Sequence, residues 1–165
     1  AHEMGKNCVE LFAPTIPSKD MLVETLTKLM PNSVVFVDEI HALAPKVQEV
    51  LYTALEDGEI HVTHRFSKQQ ICIKLPPFTM IGATTHEGRL NEPLRKRFPN
   101  SVRLRPYTRQ EVANIVTSAA INQFGLVLKP EVAMRIACVS QCTPRVARNI
   151  LRASHEVAKA YNSEL

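Results

Sequence analysis

Apolar residues along the chain follow two different periods. Four short runs are almost continuously apolar and rich in β-branched or aromatic residues: 9–12, 34–37, 78–83 and 102–104. After Pro17, Leu22, Leu26, Leu29 and Met30 recur at helix spacing, and Val47, Val50, Leu51 and Leu55 do so in the next segment. Short apolar strands alternating with amphipathic helices predict an α/β fold with a parallel sheet covered by helices on both faces. One stretch departs from this scheme. Within residues 60–75, Ile60 and Val62, then Ile71, Ile73 and Leu75, alternate on either side of the polar segment 65–70. That pattern predicts a projecting β-hairpin over about 59–75.

From Thr108 onward the periodicity is helical. Thr108-Arg-Gln-Glu111 has the form of a capping box, opening a helix with the stripe Val112, Ile115, Val116 and Ala119 that Phe124-Gly125 ends. Pro130 suits the first turn of a second helix carrying Ala133, Ile136 and Ala137. A third begins near Pro144 and runs through Val146, Ile150 and Val157. The change of period divides the chain into an α/β part, 1–106, and a small all-α part, 107–165.

Composition narrows the class without naming a function. A chain of 165 residues with 45% hydrophobic and 22% charged side chains is globular rather than disordered. No apolar run approaches the ~20 residues needed to cross a bilayer. There is no basic-then-apolar leader, and the expected compartment is the cytoplasm. The net charge of +4 is unevenly spread. Between Arg89 and Arg109 lie Arg95, Lys96, Arg97, Arg103 and Arg105 against one acid, Glu92, and Arg135, Arg145, Arg148 and Arg152 form a second basic set. Such clusters hold nucleotide or nucleic-acid phosphates, or simply face solvent. Cys8, Cys72, Cys138 and Cys142 read as reduced, mostly buried small hydrophobes, the last two on one helix face. His61 and His64 are three apart in an expected strand and so point to opposite faces, which argues against a metal site between them.

Candidate chemistry concentrates where strands end. In Val34-Val-Phe-Val-Asp38-Glu39-Ile-His41 an apolar strand stops abruptly at two acids, at the carboxyl edge of the sheet where α/β ligand sites form. A nucleotide-hydrolysing site needs such a pair: one carboxylate for Mg2+ and one to orient and polarise the attacking water. The plainer alternative is a cap for the following helix. Phe78-Thr-Met-Ile-Gly-Ala-Thr84-Thr85 is another strand, ending in hydroxyls able to sense a phosphate or share that water. Asn91-Glu-Pro-Leu94-Arg95-Lys96-Arg97-Phe98 places Arg97 at the far end of a short exposed helix, from which a guanidinium can reach a neighbouring subunit's nucleotide. Thr143-Pro144-Arg145 opens the last helix and could lean Arg145 over a phosphate; by itself it reads as a surface arginine.

Together these segments resemble the bacterial RuvB family of hexameric AAA+ motors that drive Holliday-junction branch migration. The resemblance runs collinearly through Asp38-Glu-Ile-His41, Leu51-Tyr-x-Ala-Leu-Glu-Asp57, Leu75-Pro-Pro-Phe-Thr79, Ile81-Gly-Ala-Thr-Thr85, Pro93-Leu-Arg-x-Arg-Phe98 and Thr143-Pro-Arg145. It implies a partial P-loop NTPase sheet followed by a helical lid, with ATP and Mg2+ as cofactors. Asp38 then corresponds to the Walker B aspartate that holds Mg2+ through water, and Glu39 to the catalytic glutamate. Thr84 or Thr85 is sensor 1, with Thr85 slightly preferred; Arg97 is the arginine finger and Arg145 is sensor 2. Ile60, Val62, Ile71 and Ile73 fall on the hairpin with which RuvB docks RuvA. The resemblance also implies a homo-oligomeric ring and Holliday-junction DNA as partner.

Departures are visible in the same segments. His86 and Ala42 stand where the family usually has arginine, Cys142 where it usually has glycine, and the hairpin lacks a glycine-rich tip. No G-x-x-x-x-G-K-[ST] phosphate cradle occurs, since Gly5-Lys6 is followed by Asn7. The expectation is a chain starting one helix after the phosphate loop, without the winged-helix DNA-binding domain, and inactive in isolation. The competing readings are a non-catalytic AAA+-like assembly or nucleic-acid-binding module, and a clamp-loader-type subunit.

Overall fold

A computed structural model of the chain describes Glu3 and residues 5–63 and 69–161. His64 and most of the hairpin's polar tip lie outside the described residues. The chain divides into two units, Ala1–Ser101 and Val102–Leu165.

The first unit is built on a three-stranded parallel sheet ordered β1 (Cys8–Phe12), β2 (Ser33–Asp38), β5 (Phe78–Gly82). β2 is central, pairing Val35 with Val9 on one side and with Met80 on the other. Its alternation is strict. Ser33, Val35 and Val37 are buried, while Val34 and Phe36 are half-buried and Asp38 is exposed. Leu22 and Leu26 of α1 (Lys19–Thr27) and Val47 and Leu51 of α2 (Pro45–Glu56) join Val35 and Val37 in one buried cluster. On the opposite sheet face Phe12 and Ile81 remain about half exposed. The α1 stripe ends earlier than its periodicity suggests: Leu29 is buried beyond the helix, and Met30 is exposed.

The hairpin consists of β3 (Glu59–Thr63) and β4 (Gln70–Lys74), antiparallel, with Ile60 opposite Ile73 and Val62 opposite Ile71. Ile60 is buried in the core of the unit, whereas Ile71 is exposed. The expected strand at 102–104 does not form. Val102 and Leu104 are 83% and 88% exposed and the segment has no regular structure. A strand is defined by its ladder, and these residues have no ladder partner among the described residues.

The second unit consists of α4 (Arg109–Phe124), α5 (Pro130–Val139) and α6 (Pro144–Ala160) around Val112, Val116, Ile136, Ala147 and Leu151. The α6 stripe lies one residue beyond the expected one. Ala147, Leu151 and Ala158 are buried, and Val146 and Val157 are exposed; Ala147 and Leu151 pack into the core of the unit. The cysteines also differ from expectation: Cys8, Cys72 and Cys138 are exposed and Cys142 half-buried, all free. Cys138 and Cys142 do not share a helix face, because α5 ends at Val139. Gln141 and Cys142 follow in left-handed conformation, φ 51° and 57°, which explains why glycine suits position 142.

The capping box of α4 is complete. The Glu111 N–H donates to Thr108 Oγ1 at 3.3 Å, and Glu111 Oε2 accepts the Thr108 N–H at 2.8 Å. Arg105 adds two bonds to the same carboxylate, 2.9 and 2.5 Å. These partners, Arg105 first and then Thr108, hold the Glu111 carboxyl down at about 2. A depressed folded-state value stabilises the fold above the ordinary carboxylate range, and that contribution is lost as pH falls towards about 2. The melting temperatures of the chain and of Glu111→Gln should therefore differ most above pH 5 and converge between pH ~4.5 and ~2. A gap constant across that range would contradict the assignment.

Candidate functional site

The acid pair lies where the central strand runs out. Asp38 is the last residue of β2, opposite Phe12 of β1, and its Oδ1 accepts the backbone N–H of Glu39 at 2.9 Å. Glu39 then reverses the chain in left-handed conformation, φ 51° and ψ 42°. A residue with a Cβ costs about 1–2 kcal/mol there, and such strain tends to collect at functional positions. The reversal is fixed from both sides: the Ile40 N–H donates to the Ala83 carbonyl and the Ala83 N–H to the Val37 carbonyl, each at 2.9 Å. These bonds bring the end of β2 against the end of β5. Gly82 permits the approach. A Cβ on it would lie 3.0 Å from Cδ1 and 3.3 Å from Cγ2 of the buried Ile40.

The Glu39 carboxylate therefore meets Thr85. The Thr85 hydroxyl donates to Glu39 at 3.1 and 3.3 Å, and the Thr85 N–H lies 3.5 Å from Oε2. Thr84 is occupied differently, with its hydroxyl 2.8 Å from His41 Nδ1 and accepting the His86 N–H at 3.0 Å. His41 Nδ1 is also 3.1 Å from Glu39 Oε2. His86 Nδ1 is 2.9 Å from Thr85 Oγ1, and the two imidazoles lie 4.9 Å apart. Asp38, Glu39, Thr84 and Thr85 thus gather at one sheet edge, bracketed by His41 and His86. Sequence reasoning assigned neither histidine a role. The available signal was His41 closing the acid motif and His86 replacing the usual arginine.

Arg97 is the C-cap of α3 (Glu92–Lys96), whose start is capped by Asn91 Oδ1 accepting the Leu94 N–H at 3.0 Å. Leu94 is fully buried and anchors this short helix. The Arg97 guanidinium donates to the Tyr52 carbonyl at 3.2 Å and the Pro93 carbonyl at 2.8 Å, lies 5.1 Å from the Tyr52 ring centroid, and pairs with the Glu56 carboxylate. This arginine is held within its own chain. Other parts of the basic cluster are also neutralised locally, Lys96 by Glu92 at 2.8 Å and Arg105 by Glu111. Arg145, in the second unit, is exposed in the first turn of α6.

The residues fit the metal and water half of a nucleotide site. Two carboxylates at a strand end are the hard oxygen donors that Mg2+ takes, usually with several of its waters retained. Asp38 is exposed and Glu39 half-buried. The phosphate cradle is a separate element, and no such string occurs in the sequence.

Parallel strands ending in an acid pair beside strand-end threonines, with a three-helix unit following, define an AAA+ P-loop NTPase module. The family of the Holliday junction DNA helicase RuvB P-loop domain matches residues 1–104. The chain belongs to the RuvB family. It is 42% identical over 167 aligned positions to the Holliday junction branch migration complex subunit RuvB of Helicobacter pylori strain HPAG1, and 41% identical to that of strain G27. In both cases all of this chain is covered and 49% of the relative. The chain thus spans about half the length of the curated relatives it matches. Among solved structures, a mutant of Thermotoga maritima RuvB superposes with a TM-score of 0.87 at 31% identity over 98% of this chain and 50% of that one. The Thermotoga maritima RuvB Holliday junction branch migration motor gives 0.85 at 32% identity over 99% and 50%.

Proposed function

We propose that these residues supply the central portion of a RuvB-type motor that hydrolyses ATP to drive Holliday-junction branch migration, as a homo-oligomeric ring in the cytoplasm. The observation that carries this reading is the Glu39 carboxylate engaged by the Thr85 hydroxyl across two adjacent strand ends, with Asp38 beside it. Bound Mg-ATP would supply the phosphoryl group and the cation that neutralises its charge. Asp38 would hold the Mg2+ through water. Glu39 orients the attacking water and accepts its proton on a carboxylate oxygen; Thr85 fixes that carboxylate and serves as sensor 1. Thr84 holds His41 and the backbone at His86, and so shapes the same turn.

Arg97 is the arginine finger, acting on a neighbouring subunit's nucleotide, and Arg145 is sensor 2. The Glu56 pairing adds a step to the first role: Arg97 exchanges this carboxylate for phosphate when it engages. The hairpin docks a RuvA-like partner. Ile60 is buried in its own core and anchors the strand; Val62, Ile71 and Ile73 are the accessible part of the apolar face. Turnover is proposed for the whole motor, since no phosphate cradle lies within these residues.

The test is branch migration of a synthetic four-way junction by a full-length RuvB carrying this segment, with a RuvA partner. Migration requiring both ATP and Mg2+, and slowed by Ile71→Asp without loss of basal ATP turnover, is the expected result. Migration unaffected by the hairpin change would refute the docking assignment. Absence of ATP-dependent migration with the partner bound would refute the motor reading.

A further inference from the structure

The outer face of the hairpin gathers three side chains of metal-binding type from two strands. Glu59 and His61 are two apart on β3, hence on the same face. Cys72 on β4 is directly opposite His61. The ligand atoms of the three residues all lie within 4.8 Å of one another, and His61 Nε2 is 3.4 Å from Glu59 Oε1. Lys74, opposite Glu59, is the cation on this face among the described residues. The other face carries Ile60, buried in the core, and its partner Ile73. The ligand-bearing backbone is therefore anchored from behind.

We propose that Glu59, His61 and Cys72 form a binding site for a thiophilic divalent cation of the Zn2+ type, which clips β3 to β4. A thiolate, an imidazole and a carboxylate form a mixed sulfur, nitrogen and oxygen set that selects zinc-like ions over Mg2+ or Ca2+. Around a tetrahedral Zn2+ such atoms sit roughly 3.3–3.8 Å apart, given Zn–N and Zn–O bonds near 2.1 Å and Zn–S near 2.3 Å. Closing from the observed spread takes about 1 Å of movement, with His61 and Cys72 exposed and Glu59 half-buried. Water fills the fourth position. On binding, the Cys72 S–H bond breaks, the sulfur lone pair bonds the metal, and the proton leaves to solvent. The Glu59 carboxylate accepts the Cys72 thiol hydrogen bond and holds that thiol above its ordinary value. Zn2+ would stiffen the segment assigned to partner docking, but its binding is independent of any nucleotide chemistry.

Co2+ titration of the tag-free, chelator-stripped, reduced chain tests this. One equivalent should produce a thiolate-to-cobalt charge-transfer band that Zn2+ abolishes. Cys72→Ser should remove the band, and His61→Ala should weaken binding on the order of tenfold or more. Both positions are exposed, and circular dichroism checks that the variants fold. Absence of a thiolate band at one equivalent would overturn the proposal. So would a band that persists in Cys72→Ser and is lost on replacing Cys8, Cys138 or Cys142.

Discussion

Replacing Arg97 by alanine in a full-length RuvB carrying this segment is expected to lower ATP turnover by roughly 10³–10⁵-fold, the range for arginine fingers in nucleotide hydrolysis, with nucleotide affinity largely kept. A guanidinium contributes most when it meets charge that develops in the transition state, so its loss falls on the rate rather than on binding. Here the residue also has a local role. Removing its bonds to the Tyr52 and Pro93 carbonyls and its stacking on the Tyr52 ring should cost about 1–2 kcal/mol of stability. A fall in turnover alone therefore does not separate finger from prop; mixing does. Rings assembled from Arg97→Ala and Glu39→Gln subunits contain some interfaces at which an intact Glu39 meets an intact Arg97, and these should turn over ATP. Mixed rings verified by native mass spectrometry yet inactive would rule out action in trans. Glu56→Gln leaves the finger's chemistry in place and loosens only its resting partner, so its turnover should fall far less.

The fold was legible where periodicity alone decides. The strand over 34–37, Leu22 and Leu26 in α1, and the Thr108 capping box all sit where the pattern placed them. It failed where an element needs a partner that periodicity does not identify. Val102 and Leu104 alternate around Arg103 as a strand would, but form no ladder. In α6 the expected stripe of Val146, Ile150 and Val157 misses by one residue, since Ala147, Leu151 and Ala158 are the buried positions. The site shows the same division. Asp38, Glu39, Thr84 and Thr85 could be found because strand ends converge on one sheet edge. The His41 and His86 contacts could not, because they depend on the left-handed turn at Glu39 bringing together segments over forty residues apart. Nor could the Cys72–His61 pairing, which requires the hairpin register.

Glu39→Gln probes the proposed water-activating carboxylate most directly. Glutamine preserves the size of the side chain and its capacity to accept the Thr85 hydroxyl, but it cannot take a proton from water. The loss of general-base catalysis is worth about 10²–10⁴-fold in rate. With Asp38, the proposed holder of the metal, unchanged, Mg-ATP affinity should stay within a few-fold. The direct measurement pairs phosphate release with binding of a fluorescent ATP analogue on the same Glu39→Gln preparation of a full-length RuvB carrying this segment. Phosphate release lowered at least about a hundredfold with nucleotide still bound is the predicted result. Turnover at the unsubstituted rate would contradict the account.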